Sequence, residues 1–258
     1  MVVGHHEERL VKSAERVRDL GEVFTPNVTV QAMLDLLPDN IWEVHPSPTF
    51  LEPACGDGNF LVAILNRKLD RIASDHSKAK LAAGDTTEAA QFHALEALAS
   101  IYAVDISIDN VVGGMPGHEI GARTRLLNQF TDWNFKTLDR QFTQRSLVLR
   151  AAEWIVAHNI IVGNMLPFDA DGRETGRDQI PLIEYSFIPK DQTVVLKRTT
   201  LGDVFAVEQA NSATVLSLFG PAESTFLWRG KAVNLSGADR VEAPKIHGQA
   251  RNGTVRRS

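Results

Sequence analysis

The segment FLEPACGDGNFL, at residues 50–61, has the residue types of a ligand-binding loop, with Gly56 and Gly58 between two apolar runs. Glycines allow backbone N–H groups to approach a ligand, and a helix that begins after such a loop favours negative charge at its N-terminus. The loop could therefore hold a phosphate or a carboxylate. A dinucleotide-binding loop would have a third glycine at position 61, where this chain has Leu61. A nicotinamide cofactor is thus disfavoured.

Acidic residues follow two apolar runs and suggest an adenosine-containing ligand other than a nicotinamide cofactor. S-adenosylmethionine has a carboxylate for the loop amides and an ammonium group for an acid such as Glu52 or Asp57. Asp105 ends the run IYAVD, where a carboxylate at the carboxyl end of a strand can accept both ribose hydroxyls. Ile106 would then cover the adenine ring. The structural alternatives are a tight turn without a ligand at Gly56 and a helix cap at Asp105.

Two segments carry a resemblance to a known family. EPACGDGNFL resembles motif I of DNA amino-methyltransferases, which reads Asp/Glu-Pro-Ala-Cys/Gly-Gly-x-Gly-x-Phe-Leu. GEVFTP, about 30 residues earlier, resembles motif X of the subgroup that methylates adenine N6. The resemblance implies that Thr25 and Pro26 border the methionine end of the cofactor. The cofactor-binding residues that we expect are Thr25, Pro26, Glu52, Pro53, Cys55, Gly56, Gly58, Phe60, Asp105, Ile106 and Asn164.

The same family requires a catalytic tetrad, Asn/Asp/Ser-Pro-Pro-aromatic. An exocyclic amine is a poor nucleophile because its lone pair is delocalised into the base. A side-chain acceptor and a backbone carbonyl must therefore hold both N–H groups as positive charge develops on the nitrogen. An aromatic ring stacks on the base after it is flipped out of the duplex. No such tetrad occurs in the 258 residues.

The nearest candidate is NIIVGNMLPF at residues 159–168, which has two interpretations. In the first, Asn164, Pro167 and Phe168 form a divergent catalytic loop with one extra residue. In the second, the segment is similar to the family's motif III, in which Asn164 would contact the adenine of the cofactor. We prefer the second, because the segment follows the third predicted strand and the catalytic loop normally follows the fourth. An amide that only caps a strand end is the structural alternative.

The elements that must position these residues alternate between strands and helices. Hydrophobic periodicity predicts helices at 26–37, 59–72, 87–99, 123–133 and 139–158, a shorter one opening at 105–110, and strands at 49–52, 101–104 and 160–162. Thr25 is expected as N-cap of the first of these helices. This alternation is typical of an α/β fold with a doubly wound, mainly parallel, Rossmann-like sheet. Additional late strands are predicted at 182–188, 193–198, 214–218 and 225–228, joined by turns rather than by crossover helices.

The predicted domain organisation has three parts. Residues 1–20 form an N-terminal helix, residues 21–238 a methyltransferase-like domain, and residues 239–258 a disordered tail. The cofactor-binding half of the domain spans residues 21–168, and the resemblance covers this half well and the remainder poorly.

Composition restricts the location and the partners of the chain. Hydrophobic residues make up 43% and charged residues 23%, which is ordinary globular usage, and no apolar run is long enough for a bilayer. The single cysteine, Cys55, cannot form an internal disulfide and fits a reducing cytoplasm. The net charge of −5 predicts weak binding to DNA by the chain alone. A partner subunit could supply DNA specificity or catalysis.

The histidines show no metal-ligand spacing. His5 and His6 are adjacent, and His76, His93 and His118 are isolated, so no metal site is predicted.

Taken together, the motifs favour an S-adenosylmethionine-dependent, site-specific methyltransferase of adenine N6 in DNA, as in restriction-modification systems. The first alternative is a catalytically inactive cofactor-binding or subunit-assembly module of a modification complex, which the missing tetrad supports. Methylation of a protein or a small molecule on the same fold is a second alternative, because a fold does not fix a substrate.

Overall fold

The computed structural model describes residues 25–83, 86–114, 120–190, 192–211 and 224–227, with only the backbone described at 80–83, 207–211 and 224–227. The predicted N-terminal helix at 1–20, the strand at 214–218 and the tail at 239–258 lie outside the described residues. So do the first four residues of the GEVFTP segment.

Three short parallel strands form the first sheet, in the order β1 (Phe50–Glu52), β2 (Ile101–Asp105) and β3 (Ile160–Val162). Glu52 pairs with Ala103, and Asp105 pairs with Val162. β2 lies in the middle and is almost wholly buried, as expected for a parallel strand covered on both faces. Among the described residues β1 pairs only with β2, so its other edge is unpaired there. The predicted strands are confirmed to within one residue.

Seven α-helices accompany the strands in the described part of the chain. They are α1 (Asn27–Leu34), α2 (Asn59–Ala83), α3 (Thr87–Ala99), α4 (Ile108–Val111), α5 (Ala122–Leu138), α6 (Leu147–Asn159) and α7 (Leu201–Asn211). Short 3-10 helices lie at Asp39–Trp42 and Arg177–Gln179. The α/β class is therefore confirmed. The described helices contain no apolar stretch of the length that crossing a bilayer requires.

Several predicted helix bounds were wrong, for local reasons. The helix predicted at 123–133 continues to Leu138, where the left-handed Asp139 (φ 52°) ends it. The helix predicted at 139–158 begins only at Leu147, after a connecting loop. The Thr143 N–H then donates to Ser146 Oγ at 2.9 Å in the connecting loop. α2 continues past residue 72 to Ala83, since neither glycine nor proline interrupts it. α1 ends at Leu34 rather than at residue 37.

A second, antiparallel sheet contains β4 (Pro181–Ile188), β5 (Thr193–Thr200) and β6 (Ser224–Leu227), in that order. It confirms three of the predicted late strands, but α7 lies between β5 and β6, where no helix was predicted. A capping box starts this helix: the Thr200 N–H donates to Asp203 Oδ2 at 3.0 Å, and the Asp203 N–H donates to Thr200 Oγ1 at 3.2 Å.

The two sheets share one hydrophobic core and are joined by buried polar contacts. Tyr102 on β2 donates its hydroxyl to the Ile183 carbonyl on β4 at 2.5 Å. Tyr185, also on β4, donates to Asn159 Oδ1 at 2.8 Å, while Asn159 Nδ2 donates to the Ile101 carbonyl at 3.2 Å. Side chains of both sheets, such as those of Ile101 and Phe187, belong to the same buried cluster. The late strands are thus part of the domain's main core.

Candidate cofactor-binding site

The predicted site residues of the three parallel strands meet at the carboxyl edge of the sheet. The Gly-rich loop follows β1, Asp105 ends β2, and Asn164 lies two residues after β3. Cys55 N donates to the Val104 carbonyl at 3.1 Å, and Gly163 N donates to the Asp105 carbonyl at 2.9 Å. In open α/β sheets this edge is where ligands bind.

Asp105 is the organising residue of this edge. Its side chain is buried and accepts three hydrogen bonds from the protein itself. Gly56 N donates to Oδ2 at 2.8 Å, while Ser107 N and Asn110 Nδ2 donate to Oδ1 at 2.8 and 3.0 Å. A carboxylate offers about four lone-pair sites, so one site is left for a ligand hydroxyl, whereas the sequence suggested that both ribose hydroxyls bind here. Asp105 also lies three residues before α4 without being its N-cap, which is Ser107.

The two glycines of the loop both have positive φ, 53° at Gly56 and 93° at Gly58. A Cβ atom at Gly58 would lie 3.0 Å from Ala122 Cβ and 3.3 Å from Ala122 Cα. The absence of a side chain at Gly58 is therefore required by the start of α5. This contact within the protein requires a glycine by itself, and the approach of a ligand to Gly58 stays a prediction.

Glu52, which ends β1, and Cys55, in the loop after it, both have raised pKa values. Glu52 is half-buried, and its Oε1 accepts a hydrogen bond from Ala54 N at 3.3 Å. Burial raises the pKa of Glu52, and the Ala54 N–H partly offsets this. Burial also raises the pKa of the Cys55 thiol, as do the nearby charges of Asp105 and Glu52. Cys55 is therefore a neutral thiol at physiological pH and a poor nucleophile. Pro53, between them, is exposed.

The predicted motif X residues lie at the start of α2, next to the loop. The Thr25 carbonyl accepts a hydrogen bond from Asn59 Nδ2 at 3.2 Å. Pro26 occupies the N-cap position of α1, where we had expected Thr25, because the Pro26 carbonyl accepts the first N–H groups of this helix. Phe60 is half-buried and packs against the hydrophobic core. The structure thus brings residues 25–26 and the Gly-rich loop together.

Arg125, on α5, also contacts the loop, and the sequence motifs did not identify it. Its Nη1 donates to the Asp57 carbonyl at 2.9 Å and lies 2.8 Å from Asp57 Oδ1, while Nη2 donates to Asn59 Oδ1 at 2.8 Å. The guanidinium therefore holds both sides of Gly58. More than sixty residues separate Arg125 from the loop, so spacing in the sequence gave no signal for this contact.

The segment after β3 divides into two hydrogen-bonded turns. Asn164 Oδ1 accepts a hydrogen bond from Leu166 N at 3.0 Å, within the first turn. Pro167 and Phe168 lie in an exposed second turn, where the Pro167 carbonyl accepts from Thr175 N at 3.2 Å. The Phe168 side chain is 55% exposed. β3 pairs with β2, on the side away from β1. Asn164 therefore follows the strand next to the one that Asp105 ends.

Ile106 follows Asp105 directly and is 59% exposed, so it presents an apolar surface beside the carboxylate.

Comparison of the chain with protein-family models, with curated proteins and with solved structures finds no match. Function must therefore be inferred from the chemistry of the site.

Proposed function

We propose that the protein is an S-adenosylmethionine-dependent methyltransferase of adenine N6 in DNA, of the restriction-modification type. Its fold would be the doubly wound, mainly parallel, Rossmann-like sheet of that class. The observation that carries the proposal is the hydrogen bond from Gly56 N to Asp105 Oδ2, which joins the glycine-rich loop after β1 to the acid that ends β2. The resemblance of EPACGDGNFL to motif I supplies the choice of cofactor.

The residues of the site fit the parts of this cofactor. Glu52 is a half-buried carboxylate with one long hydrogen bond, which suits an ammonium group. Asp105 keeps one lone-pair site for a ribose hydroxyl, and the exposed face of Ile106 suits an adenine ring. S-adenosylmethionine supplies an electrophilic methyl group on a sulfonium centre. The protein's own part is to hold and orient the two reactants and to exclude water between them.

Asn164 is proposed to contact the cofactor's adenine. Its position after β3, beside the strand that ends in Asp105, supports this role. The catalytic interpretation, in which Asn164, Pro167 and Phe168 hold a flipped adenine, is supported by the exposed ring of Phe168, since aromatic rings stack on flipped bases. The two interpretations make different kinetic predictions.

A second candidate function is a cofactor-binding or subunit-assembly module without activity of its own. The chain lacks the Pro-Pro-aromatic tetrad, and its net charge of −5 gives little attraction for phosphate. A partner subunit would then supply the catalytic loop and much of the DNA contact. This candidate shares the cofactor site with the first, so cofactor binding alone does not separate them.

Calorimetric titration tests the cofactor site. We expect the folded chain to bind S-adenosylmethionine and S-adenosylhomocysteine, and not NAD. Glu52→Gln should weaken both interactions because it removes the charge that faces the ammonium group, whereas the exposed Glu43→Gln should leave them unchanged. Preferential binding of NAD, or no binding to either adenosyl ligand, would contradict the proposal.

Transfer of a tritiated methyl group to DNA, protein or small-molecule acceptors then separates activity from mere binding. If Asn164 contacts adenine, Asn164→Ala should weaken cofactor binding first. If Asn164 is catalytic, the same change should slow the chemical step at unchanged cofactor affinity. Cofactor binding without transfer to any acceptor, until a partner subunit is added, would identify the assembly module.

A further inference from the structure

A second group of titratable side chains lies near the amino ends of β1 and β2, at the edge of the sheet opposite the candidate cofactor site. His45 precedes β1, whereas His93 and Glu96 lie one turn apart on α3. His45 Nδ1 lies 2.8 and 2.9 Å from the two carboxylate oxygens of Glu96, and His93 Nδ1 lies 3.3 Å from Glu96 Oε2. The three candidate ligand atoms all lie within 4.8 Å of one another.

We propose that His45, His93 and Glu96 form a binding site for a divalent transition-metal ion of the Zn²⁺ type. Two imidazole nitrogens and one carboxylate oxygen are a common zinc ligand set, and a site with three protein ligands keeps one position open. Imidazole ligands favour zinc and its transition-metal neighbours over Mg²⁺ and Ca²⁺, which prefer oxygen.

The distances in the cluster are close to those that the metal requires. Zinc–ligand bonds of about 2.0–2.2 Å in a tetrahedral arrangement separate neighbouring ligand atoms by roughly 3.3 Å. The His93–Glu96 separation already equals this value at 3.3 Å, and the His45–Glu96 separation of 2.8 Å is shorter. His45 has room to move outwards, because its side chain is 36% exposed. A change of a few tenths of an ångström at His45 would bring its distance to Glu96 to this value, and the two imidazole nitrogens lie within 4.8 Å of each other.

The charge around Glu96 also favours a cation. The Glu96 side chain is only 7% exposed, and Ser47 N donates to its Oε1 at 3.1 Å. A buried carboxylate is costly unless a positive charge compensates it. The nearby cation is Lys68, whose ammonium donates to Ser47 Oγ and to the Pro48 carbonyl. Burial lowers the pKa of Lys68 to about 7, and the negative charge of Glu96 partly opposes this shift.

A cavity of about 350 Å³ adjoins the cluster and could hold the ligand of the open position. His45 and Glu96 line it together with Tyr102 and Tyr185. The alternative to a metal is a hydrogen bond from His45 Nδ1–H to the Glu96 carboxylate, with no ion bound. The two interpretations differ in whether the chain binds zinc, and this can be measured.

The test uses the full chain without an affinity tag, in a background in which His5→Gln and His6→Gln remove the adjacent histidine pair. Zinc chloride is titrated calorimetrically, and cobalt chloride is titrated with visible absorption as the readout. We expect one ion per chain and the visible absorption bands of tetrahedral Co²⁺. His45→Gln and His93→Gln should each weaken Zn²⁺ binding by more than about tenfold, since even groups that only orient a ligand change metal affinity about 10–100-fold.

His158→Gln is the matched control. His158 is half-buried, and its Nδ1 contacts the Trp154 carbonyl on α6, so its replacement should leave zinc affinity unchanged. Absence of zinc binding in the background chain would overturn the proposal, as would an equal affinity for zinc in the His45→Gln variant. Circular dichroism verifies that each variant is folded. S-adenosylmethionine binding is measured separately, because the two sites lie at opposite edges of the sheet.

Discussion

Gly56 N and Asp105 Oδ2 form a 2.8 Å hydrogen bond that connects the loop after β1 to the end of β2. The same carboxylate also receives the N–H groups of Ser107 and Asn110. One side chain therefore fixes the shape of the loop and the start of α4 at once. We therefore expect the stability of the fold to depend on this residue, as well as the proposed affinity for S-adenosylmethionine.

Asp105→Asn should reduce the free energy of unfolding by about 1–3 kcal/mol, because the new amide presents a donor to a group that is itself a donor. Urea unfolding at pH 7 measures the change. The exposed Asp132→Asn is the control, since it removes only a surface pair with Lys136 and should cost less than about 0.5 kcal/mol. Equal free energies of unfolding of the two variants would show that the Asp105 hydrogen bonds do not contribute to stability.

Gly58→Ala should destabilise the protein more than Gly172→Ala. Both glycines have positive φ, 93° and 77°, so an alanine strains the backbone at each. Only at Gly58 does the added Cβ meet another residue, Ala122 at 3.0 Å, whereas nothing lies within 4 Å at Gly172. The difference between the two variants in the free energy of unfolding measures the cost of the contact with Ala122, which we expect to be about 1–3 kcal/mol.

The double variant Gly58→Ala/Ala122→Gly checks the cause. Removing the Ala122 methyl group should recover part of the lost stability, although glycine in a helix costs about 0.5–1 kcal/mol by itself. Strictly additive effects of the two substitutions would mean that the contact with Ala122 is not responsible.

Arg125→Lys should loosen the Gly-rich loop while leaving global stability nearly unchanged. A lysine cannot reproduce the two-sided contact with Asp57 and Asn59. The Arg125 side chain is 29% exposed, so the free energy of unfolding should fall by no more than about 1 kcal/mol. Amide hydrogen exchange of residues 56–58 should become faster, and S-adenosylmethionine affinity should fall. Lys136→Ala removes an exposed ion pair on the same helix and should change neither the amide exchange of residues 56–58 nor the affinity for S-adenosylmethionine.

The contribution of Lys68 to the stability of the protein should rise with pH. Burial lowers its pKa to about 7 from the ordinary value of 10.5, so between these values the unfolded chain binds the additional proton. The free energy of unfolding from this residue then increases with pH by at most about 1.4 kcal/mol per unit. This contribution of Lys68 is smallest below pH 7, where the folded protein must bury the charged ammonium group.

Unfolding of the wild type and of Lys68→Met at pH 7.5, 8.5 and 9.5, with EDTA present, isolates this contribution. The raised pKa values of Cys55 and Tyr102 oppose it, because these groups keep their protons in the folded state. Both are present in the two proteins, so they cancel in the difference. A wild-type stability curve parallel to that of Lys68→Met would contradict the assignment.

Local sequence patterns were sufficient for the parallel strands and for the edge at which the candidate site lies. Asp105 ends a short apolar run, and such a run has few alternatives to a buried strand. The capping box Thr200-Leu-Gly-Asp203 is also present in the sequence and indicates the start of α7. This helix was not predicted, because turns were expected between the late strands.

Contacts between distant segments could not be predicted in this way. Arg125 reaches Asp57 only because α5 packs against α2, and His45 meets Glu96 only because the chain folds back before β1. A left-handed residue such as Asp139 is equally difficult to predict, because aspartate tolerates that conformation without requiring it. The folded backbone, rather than residue spacing, brings these groups together.

The strand register has a consequence for the order of folding. Phe50 pairs with Ile101, and Ala103 pairs with Ile160, so each pairing in the parallel sheet closes a loop of more than 50 residues. The β4–β5 hairpin pairs Ile188 with Thr193 and closes almost at once. Distant pairings form slowly, because loop entropy is lost before any contact compensates for it. The hairpin should therefore form before the edge that carries Asp105, and the proposed cofactor site should be among the last parts of the fold that a newly made chain completes.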